Sequence, residues 1–390
     1  MRRRLYIIGE VMKREFRRIT SKPIYFFGMI VAPVISLFFL MSIMGNGLPT
    51  SLPLAVVDMD NTSTSRALIR NLDAFPQTDV VMHAGSYDEA LTAMRKGEIY
   101  GIFYIPKNFM SDAVAGKQPK ITYYTNNSYL MAGSLLFRDM KVISEMASGK
   151  VGLQIGEAKG ERKAVTMAKV QPIKVKSDIM GNPWLSYSIY LNSLLIPGIL
   201  QLLIFQMTAY SIGVEIKERT SREWLRLSRN SLTLGLFGKL TVHTIIYFIV
   251  GLFCLSYIYG FSQFPLNSGW LPMIIALFML ILAAEAMGIF FISVLPILRL
   301  GVSFGSLVGM LAFSITGFSF PATDMDPPLR AISNLFPLRH YYLIYVDQAL
   351  NGRAFFYSII PYSALMLFMI LPMLTLKQLK QALLKIKYIP

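Results

Sequence analysis

The segment Glu215-Ile-Lys-Glu-Arg-Thr-Ser-Arg-Glu-Trp224 is densely charged and lies between two long apolar stretches. A helix that spans a bilayer needs roughly 20 apolar residues, because lipid offers no partner to an unsatisfied backbone group. The flanking runs at 185–214 and 236–259 both reach that length. The segment is therefore predicted to be a loop at a membrane surface with a spanning helix on each side.

The composition of the whole chain also indicates a membrane protein. Of its 390 residues, 54% are hydrophobic and only 15% are charged, and the mean hydropathy is +0.49. That is more apolar than a soluble core of this length requires. Six runs are long enough to span, at 24–44, 185–214, 236–259, 270–295, 300–320 and 355–376. We therefore predict an α-helical integral membrane protein with six transmembrane helices.

Lysine and arginine residues cluster beside the ends of these runs, and such clusters favour the cytoplasmic side. The clusters lie at 2–22, 217–229, 299 and 377–387. In a six-helix topology all of them fall on one side, so both termini are predicted to be cytoplasmic. The net charge of +16 is then mostly a topology signal, and nucleic acid is not needed to explain it.

The same topology places residues 45–184 outside as an inserted extracytoplasmic α/β domain. The pattern predicts strands at 54–57, 79–82, 100–105 and 121–124, and helices at 63–75 and 86–97. Beyond 127 a helical pattern continues to about 167, and a short strand at 173–175 is predicted to lead back to the membrane. The other predicted segments are a cytoplasmic amphipathic helix at 1–23 and a basic cytoplasmic tail at 377–390.

Motifs for catalysis or nucleotide binding are missing from the sequence. None of the Gly-Lys pairs at 116, 149 and 238 ends a P-loop, and the three histidines are far apart. The single cysteine, Cys254, cannot form a disulfide within the chain. No catalytic, cofactor-binding or metal site is predicted, so the chain is interpreted as a non-enzyme.

Residues 217–225 read Lys-Glu-Arg-Thr-Ser-Arg-Glu-Trp-Leu, and they resemble the Lys/Glu-Arg-Gly-Thr-x-Glu-x-Leu signature of the type-2, six-helix permeases of ABC exporters. Thr-Ser replaces the Gly-Thr of that family. Further similar features are Gly238-Lys239, Gly317-Phe-Ser-Phe-Pro321 and Pro337. The segment from Val56 to Arg66 is similar to the branch with a large extracytoplasmic domain between helices one and two.

The resemblance implies a coupling helix at 215–232 that docks on an ABC ATPase. Its candidate coupling residues are Glu215, Glu218, Arg219, Thr220, Ser221 and Glu223. Thr220 or Ser221 is expected to cap a helix that begins at Arg222. A membrane-surface helix that binds only lipid headgroups is the alternative for this segment.

Other residues are assigned to the pathway or to the membrane interface. Glu285 lies in the middle of an apolar run, where an ionisable residue is costly, and it is a gating or pathway candidate or else a buried hydrogen-bond anchor. Gly317, Pro321 and Pro337 are gating candidates around re-entrant outer helices at 321–353. Lys239 is expected to snorkel from the third helix to the cytoplasmic interface as an anchor.

In the amphipathic helix at 1–23, the apolar face is predicted to comprise Leu5, Ile8, Met12, Phe16 and Ile19. The helix is expected to lie on the inner leaflet, where it anchors the chain to anionic lipid, touches the ATPase, or does both.

The resulting hypothesis is a permease subunit of an ABC exporter in the bacterial inner (cytoplasmic) membrane. Its expected partners are an ATPase that binds ATP, a second permease copy or a paralogue, and membrane lipids, with a periplasmic adaptor as a further candidate. The alternative is a membrane receptor or structural adaptor whose external domain binds a ligand or an envelope protein. The substrate of the exporter would be hydrophobic or amphipathic.

Overall fold

The computed structural model describes residues 2–45, 47–172, 181–182 and 185–385. The chain divides into two compact units, one of 1–45 together with 179–390 and the other of 46–178. The strand predicted at 173–175 lies outside the described residues.

The first unit is helical. In the described residues it begins with an N-terminal helix, Arg2–Ser21, and six helices are long and apolar enough to cross a membrane. These first to sixth spanning helices are Pro23–Ile43, Tyr187–Lys217, Leu232–Phe261, Trp270–Val294, Leu298–Ile315 and Phe355–Lys385. Together with the α/β sheet between the first two, they confirm the predicted fold class.

The second and fourth spanning helices form the centre of the bundle. Their most apolar windows are 67% and 72% buried, whereas those of the other four are between 22% and 39% buried. Glycine allows the fifth helix to approach the second closely, since a Cβ on Gly309 would lie 2.4 Å from Leu202 Cδ1. The outer helices leave many apolar side chains exposed, which is the surface that lipid covers.

Three helix ends differ from the prediction. The second spanning helix continues to Lys217 and so includes Glu215 within its last turn. The fifth ends at Ile315 rather than 320, and Gly317 follows with φ +92°, a left-handed conformation that stops a helix. The sixth continues to Lys385, because lysines at a surface are good helix formers.

A short helix, Ser221–Leu227, joins the second and third spanning helices, and we call it the loop helix. Two more short helices, Pro327–Ser333 and Pro337–Tyr345, lie between the fifth and sixth spanning helices. Each begins with proline, whose missing N–H has no intrahelical partner to lose in a first turn.

The second unit contains a four-stranded sheet in its described part. The strands are β1 (Leu52–Asp58), β2 (Thr78–His83), β3 (Gly101–Ile105) and β4 (Thr122–Thr125), in the order β2-β1-β3-β4. β1 is parallel to β2 and β3, and β4 is antiparallel to β3. Helices Ser63–Asp73 and Tyr87–Lys96 supply the two parallel crossovers. The four strands predicted between 54 and 124 and these two helices are thus confirmed.

Helices cover both faces of this sheet, because alternate residues of a strand point to opposite faces. Leu54 and Val56 pack on one side with helices Ser63–Asp73 and Leu130–Ala158. Ala55 and Val57 pack on the other side with helix Tyr87–Lys96. Helices Phe109–Val114 and Lys163–Val170 complete the described part of this unit.

Candidate functional site

The N-terminal helix packs on the third spanning helix through a stripe that contains charge. Its buried residues are Ile7, Val11, Glu15, Arg18 and Ile19. Leu5 and Phe16 of the predicted apolar face are instead 62% and 58% exposed. Contact of the apolar face with the inner leaflet therefore stays a prediction, whereas the stripe that packs on the protein is selected by charge pairing as well as by apolar contact.

Glu15 lies between two basic side chains of the third spanning helix. Its Oε2 is 2.5 Å from Lys239 Nζ, and its Oε1 is 3.0 Å from His243 Nε2. All three side chains are buried. A carboxylate at this depth is tolerable only because it is paired, as desolvation of an isolated ion costs several kcal/mol.

Glu215, at the end of the second spanning helix, also pairs with the N-terminal helix and with Lys239. Arg14 donates to both of its carboxylate oxygens, at 2.8 and 3.0 Å, in the bidentate geometry that a guanidinium favours. Arg18 also pairs with Glu215, and Lys239 Nζ lies 3.3 Å from its Oε1. Three elements of the chain therefore converge on one buried carboxylate.

The rim of the cluster reaches the loop helix. Arg18 donates to Glu218 at 2.9 Å, and Lys22 pairs with the same carboxylate. Arg14 Nε lies 3.3 Å from Glu223 Oε1 on the loop helix. We call the whole set the ionic cluster; it comprises Arg14, Glu15, Arg18, Lys22, Glu215, Glu218, Glu223 and Lys239.

The ionic cluster contains as many carboxylates as cations. These pairings shift the pKa values of Glu15 and Arg14 in the N-terminal helix. Burial alone would raise the pKa of Glu15, but the Lys239 ammonium and the hydrogen bond from His243 lower that pKa to about 2. Burial likewise works against the charge of Arg14, but its hydrogen bonds and attraction to Glu215 raise the pKa of its guanidinium above the usual value. Both groups of this helix remain ionised at neutral pH.

Lys239 does not snorkel to a surface. Its side chain is 0% exposed, and it also lies over the Trp224 ring, 5.4 Å from the centroid. The expected interface anchor was therefore wrong, because Glu15 and Glu215 supply inside the protein the counter-charges that snorkelling would have sought in water.

The preceding glycine explains how the N-terminal helix comes so close. A Cβ on Gly238 would lie 2.7 Å from Val11 Cβ and 3.0 Å from the carbonyl oxygen of Ile8. Any larger residue would push the helix outwards. Gly238 thus sets the approach that lets Glu15 reach Lys239.

The loop helix has one packed face and one exposed face. Trp224 and Leu225 are buried, and Ser221 Oγ donates to the carbonyl oxygen of Leu383 in the sixth spanning helix at 2.7 Å. Lys217, Arg219, Arg222, Arg226 and Arg229 are exposed. Within the described residues none of these five makes an ion pair, so a positive surface remains.

The predicted capping of this helix was wrong in its chemistry. Thr220 occupies the N-cap position, but it makes no side-chain cap, and its hydroxyl donates to Glu215 Oε2 at 2.5 Å. Thr220 stands where the family signature has glycine, and it causes no backbone strain there, since its φ is −89°. The left-handed residue is Arg219, with φ +60°.

The gating candidates are not brought together with the coupling candidates. Gly317 follows the fifth spanning helix, and Arg339 NH1 donates to the carbonyl oxygen of Thr316 beside it at 3.0 Å. Pro337 is buried at the start of its short helix, and Pro321 is exposed. Glu285 lies apart from all three, in the fourth spanning helix, where Thr244 donates to its Oε2 at 2.7 Å.

Sequence reasoning singled out Glu215, Glu218, Glu223 and Lys239 but missed their partners Arg14, Glu15, Arg18 and Lys22, and it missed His243 beside Glu15. A signal was present, because Glu15 sits between basic residues on a helix that precedes a membrane span. Only the fold shows that its partners are more than two hundred residues away.

A family model described as ABC-2 family transporter protein matches residues 23–376. No curated protein matches the chain.

Proposed function

The chain belongs to the ABC-2 family of transporter proteins, and we propose that it is the membrane-spanning permease subunit of an ATP-driven ABC exporter. Permeases of this family lack the nucleotide-binding domain and in general work with an ATPase partner. ATP would be bound and hydrolysed by a separate subunit. The substrate would be a hydrophobic or amphipathic molecule that leaves the cytoplasm or the inner leaflet.

The exposed basic face of the loop helix carries this proposal. Arg222 and Arg226 lie on this helix, Lys217, Arg219 and Arg229 flank it, and its opposite face is fixed by Trp224, Leu225 and the hydrogen bond from Ser221. A rigid, positively charged surface suits an acidic groove on a soluble partner. We propose that this surface docks on the ATPase, with both termini in the cytoplasm of a bacterium and the spans in its inner membrane.

The ionic cluster supports a route for the mechanical signal. Glu218 and Glu223 tie the loop region to the N-terminal helix through Arg18 and Arg14. Glu215 connects the same arginines to the second spanning helix. Displacement of the loop helix by a closing ATPase would therefore move the second spanning helix and the fifth, which packs on it, as rigid bodies.

At the other end of the pathway we propose that Gly317, Pro321 and Pro337 form the outer gate with the two short helices. A second copy of the permease, or a paralogue, would complete the path. The external domain would guide release or contact a periplasmic adaptor.

Site-specific photocrosslinking in native membranes tests the docking surface. A photoreactive amino acid would replace Arg222, which is exposed, and the captured protein would be identified by mass spectrometry. The matched control carries the probe at Lys96, which is exposed on the inserted unit.

Capture of a P-loop ATPase from position 222 and not from position 96 supports the exporter. Recovery of only lipid, or of this chain itself, from position 222 would contradict the docking surface. Capture of an ATPase from position 96 alone would place the partner on the inserted unit and would overturn the proposed orientation.

A further inference from the structure

A groove runs along the outside of the bundle between the third, fourth and sixth spanning helices. Its volume is about 530 Å³, and its lining is almost entirely apolar. Phe237 and Met373 border it and are 63% and 69% exposed. The groove therefore opens to the surface that lipid covers.

Among the described residues that line the groove, Glu285 is the only ionisable one. Its side chain is 3% exposed. Oε2 accepts a hydrogen bond from Thr244, but Oε1 is buried without a partner among the described residues. A buried carboxyl oxygen without a donor is costly, so it marks a place where a ligand can supply one.

The sixth spanning helix is interrupted beside this carboxyl-bearing groove. A turn at Met369 and Ile370 separates the segments Ile359–Phe368 and Leu371–Lys385. Pro372, which lines the groove, has no N–H to donate. Broken backbone at membrane depth is tolerated where it lines a cavity, so the interruption and the groove are one feature.

We propose that this groove is a binding site for a lipid-soluble amine, with an alkyl or aryl body between the three helices and its nitrogen at Glu285. A neutral amine entering from lipid can take the carboxyl proton, and the ion pair that results carries no net charge. Phe237 and Phe278 add aromatic surface to the lining, on which the apolar body of the ligand can pack. The inference does not depend on the exporter hypothesis, since binding requires only the permease.

The depth of Glu285 and the charge of its carboxyl group favour a simple amine over a phospholipid as the ligand. Glu285 is nine residues before Val294, the end of its helix, which corresponds to about 14 Å along the axis. A phospholipid amine at that depth would draw its phosphate into the hydrocarbon region beside a carboxyl group. An amine without a phosphate has no such cost.

Photoaffinity labelling of the purified permease in nanodiscs tests the proposal. The probes are a twelve-carbon alkylamine with a diazirine and the corresponding alcohol, each with an excess of unlabelled dodecylamine as competitor. Labelled peptides are located by mass spectrometry. The variants are Glu285→Gln and, as a control, Glu145→Gln, whose side chain is exposed on the inserted unit.

The amine is expected to label the groove residues about tenfold more than the alcohol does, from the strength of a hydrogen bond to a charged group. Glu285→Gln should reduce amine labelling to the level of the alcohol, and Glu145→Gln should not. Equal labelling by the two probes in the unsubstituted protein overturns the proposal, even if Glu285→Gln fails to fold. So does undiminished amine labelling of a folded Glu285→Gln variant.

Discussion

Lys239 Nζ lies 2.5 Å from Glu15 Oε2, and both side chains are buried. This contact joins the third spanning helix to a helix that lies before the first span, across 224 residues of sequence. A buried ion pair adds little stability compared with an apolar pair, but breaking one leaves an unpaired buried charge. The pair therefore selects the one position of the N-terminal helix in which both buried charges are paired.

Lys239→Met is expected to lower the free energy of unfolding by about 3–5 kcal/mol, because it leaves Glu15 and part of the charge of Glu215 without compensation. The double variant Glu15→Gln with Lys239→Met should lose less than the sum of the two single variants. Reversible unfolding in mixed micelles measures all four proteins of this cycle. Additive losses would show that the two side chains do not interact.

Stability should depend on pH through Glu15. Its pKa is about 2 in the folded protein, below the ordinary 4.5, so the unfolded chain binds the proton more tightly. The stabilisation is then complete above about pH 4.5 and is lost as the pH falls towards 2. The difference in unfolding free energy between the unsubstituted protein and Glu15→Gln should be constant from pH 7 to 5 and shrink below 4.5. A difference that stays constant down to pH 3 would contradict the depressed pKa.

Gly238→Ala should destabilise the fold by about 1–3 kcal/mol, since its Cβ would overlap Val11. Gly9→Ala is the matched control, because a Cβ there meets nothing within 4 Å, and alanine should stabilise the helix by up to about 1 kcal/mol. Thermal unfolding of both variants gives the comparison. If Gly238→Ala were as stable as Gly9→Ala, the close approach of the N-terminal helix would be wrong.

The effect of substituting Arg219 on stability should depend on its left-handed backbone conformation. Because its φ is +60°, Arg219→Gly is expected to raise the unfolding free energy by up to about 1 kcal/mol, and the β-branched Arg219→Val to lower it. Thermal unfolding separates the two outcomes. Equal stability of the glycine and valine variants would place the left-handed turn elsewhere in the loop.

The charge pattern of the loop helix gives a functional prediction. The double variant Arg222→Glu with Arg226→Glu reverses two exposed charges and should weaken binding of the ATPase at least tenfold, because electrostatic complementarity is lost. Its unfolding temperature should not change, as neither side chain is buried. Co-purification with the ATPase measures the first effect. An unchanged yield of complex would contradict docking through this face.

The six spans, the inserted sheet and the charged loop were predictable from sequence, because each rests on local physics. About twenty apolar residues must be helical in lipid, and the unbroken apolar run from Leu54 to Val57 predicts a strand covered on both faces. The family signature around Glu218 and Glu223 also lies in one contiguous segment.

Tertiary structure alone decided how charges pair. The sequence around Lys239 does not show whether its side chain reaches the membrane surface or is buried. The outcome depends on Glu15 and Glu215, which come from distant segments of the chain. Pro372 gives the interruption of the sixth spanning helix a local cause, but only the fold places that interruption beside Glu285. Burial and pairing are properties of the assembled bundle, because the free energy of a charge is set by every neighbour that replaces water.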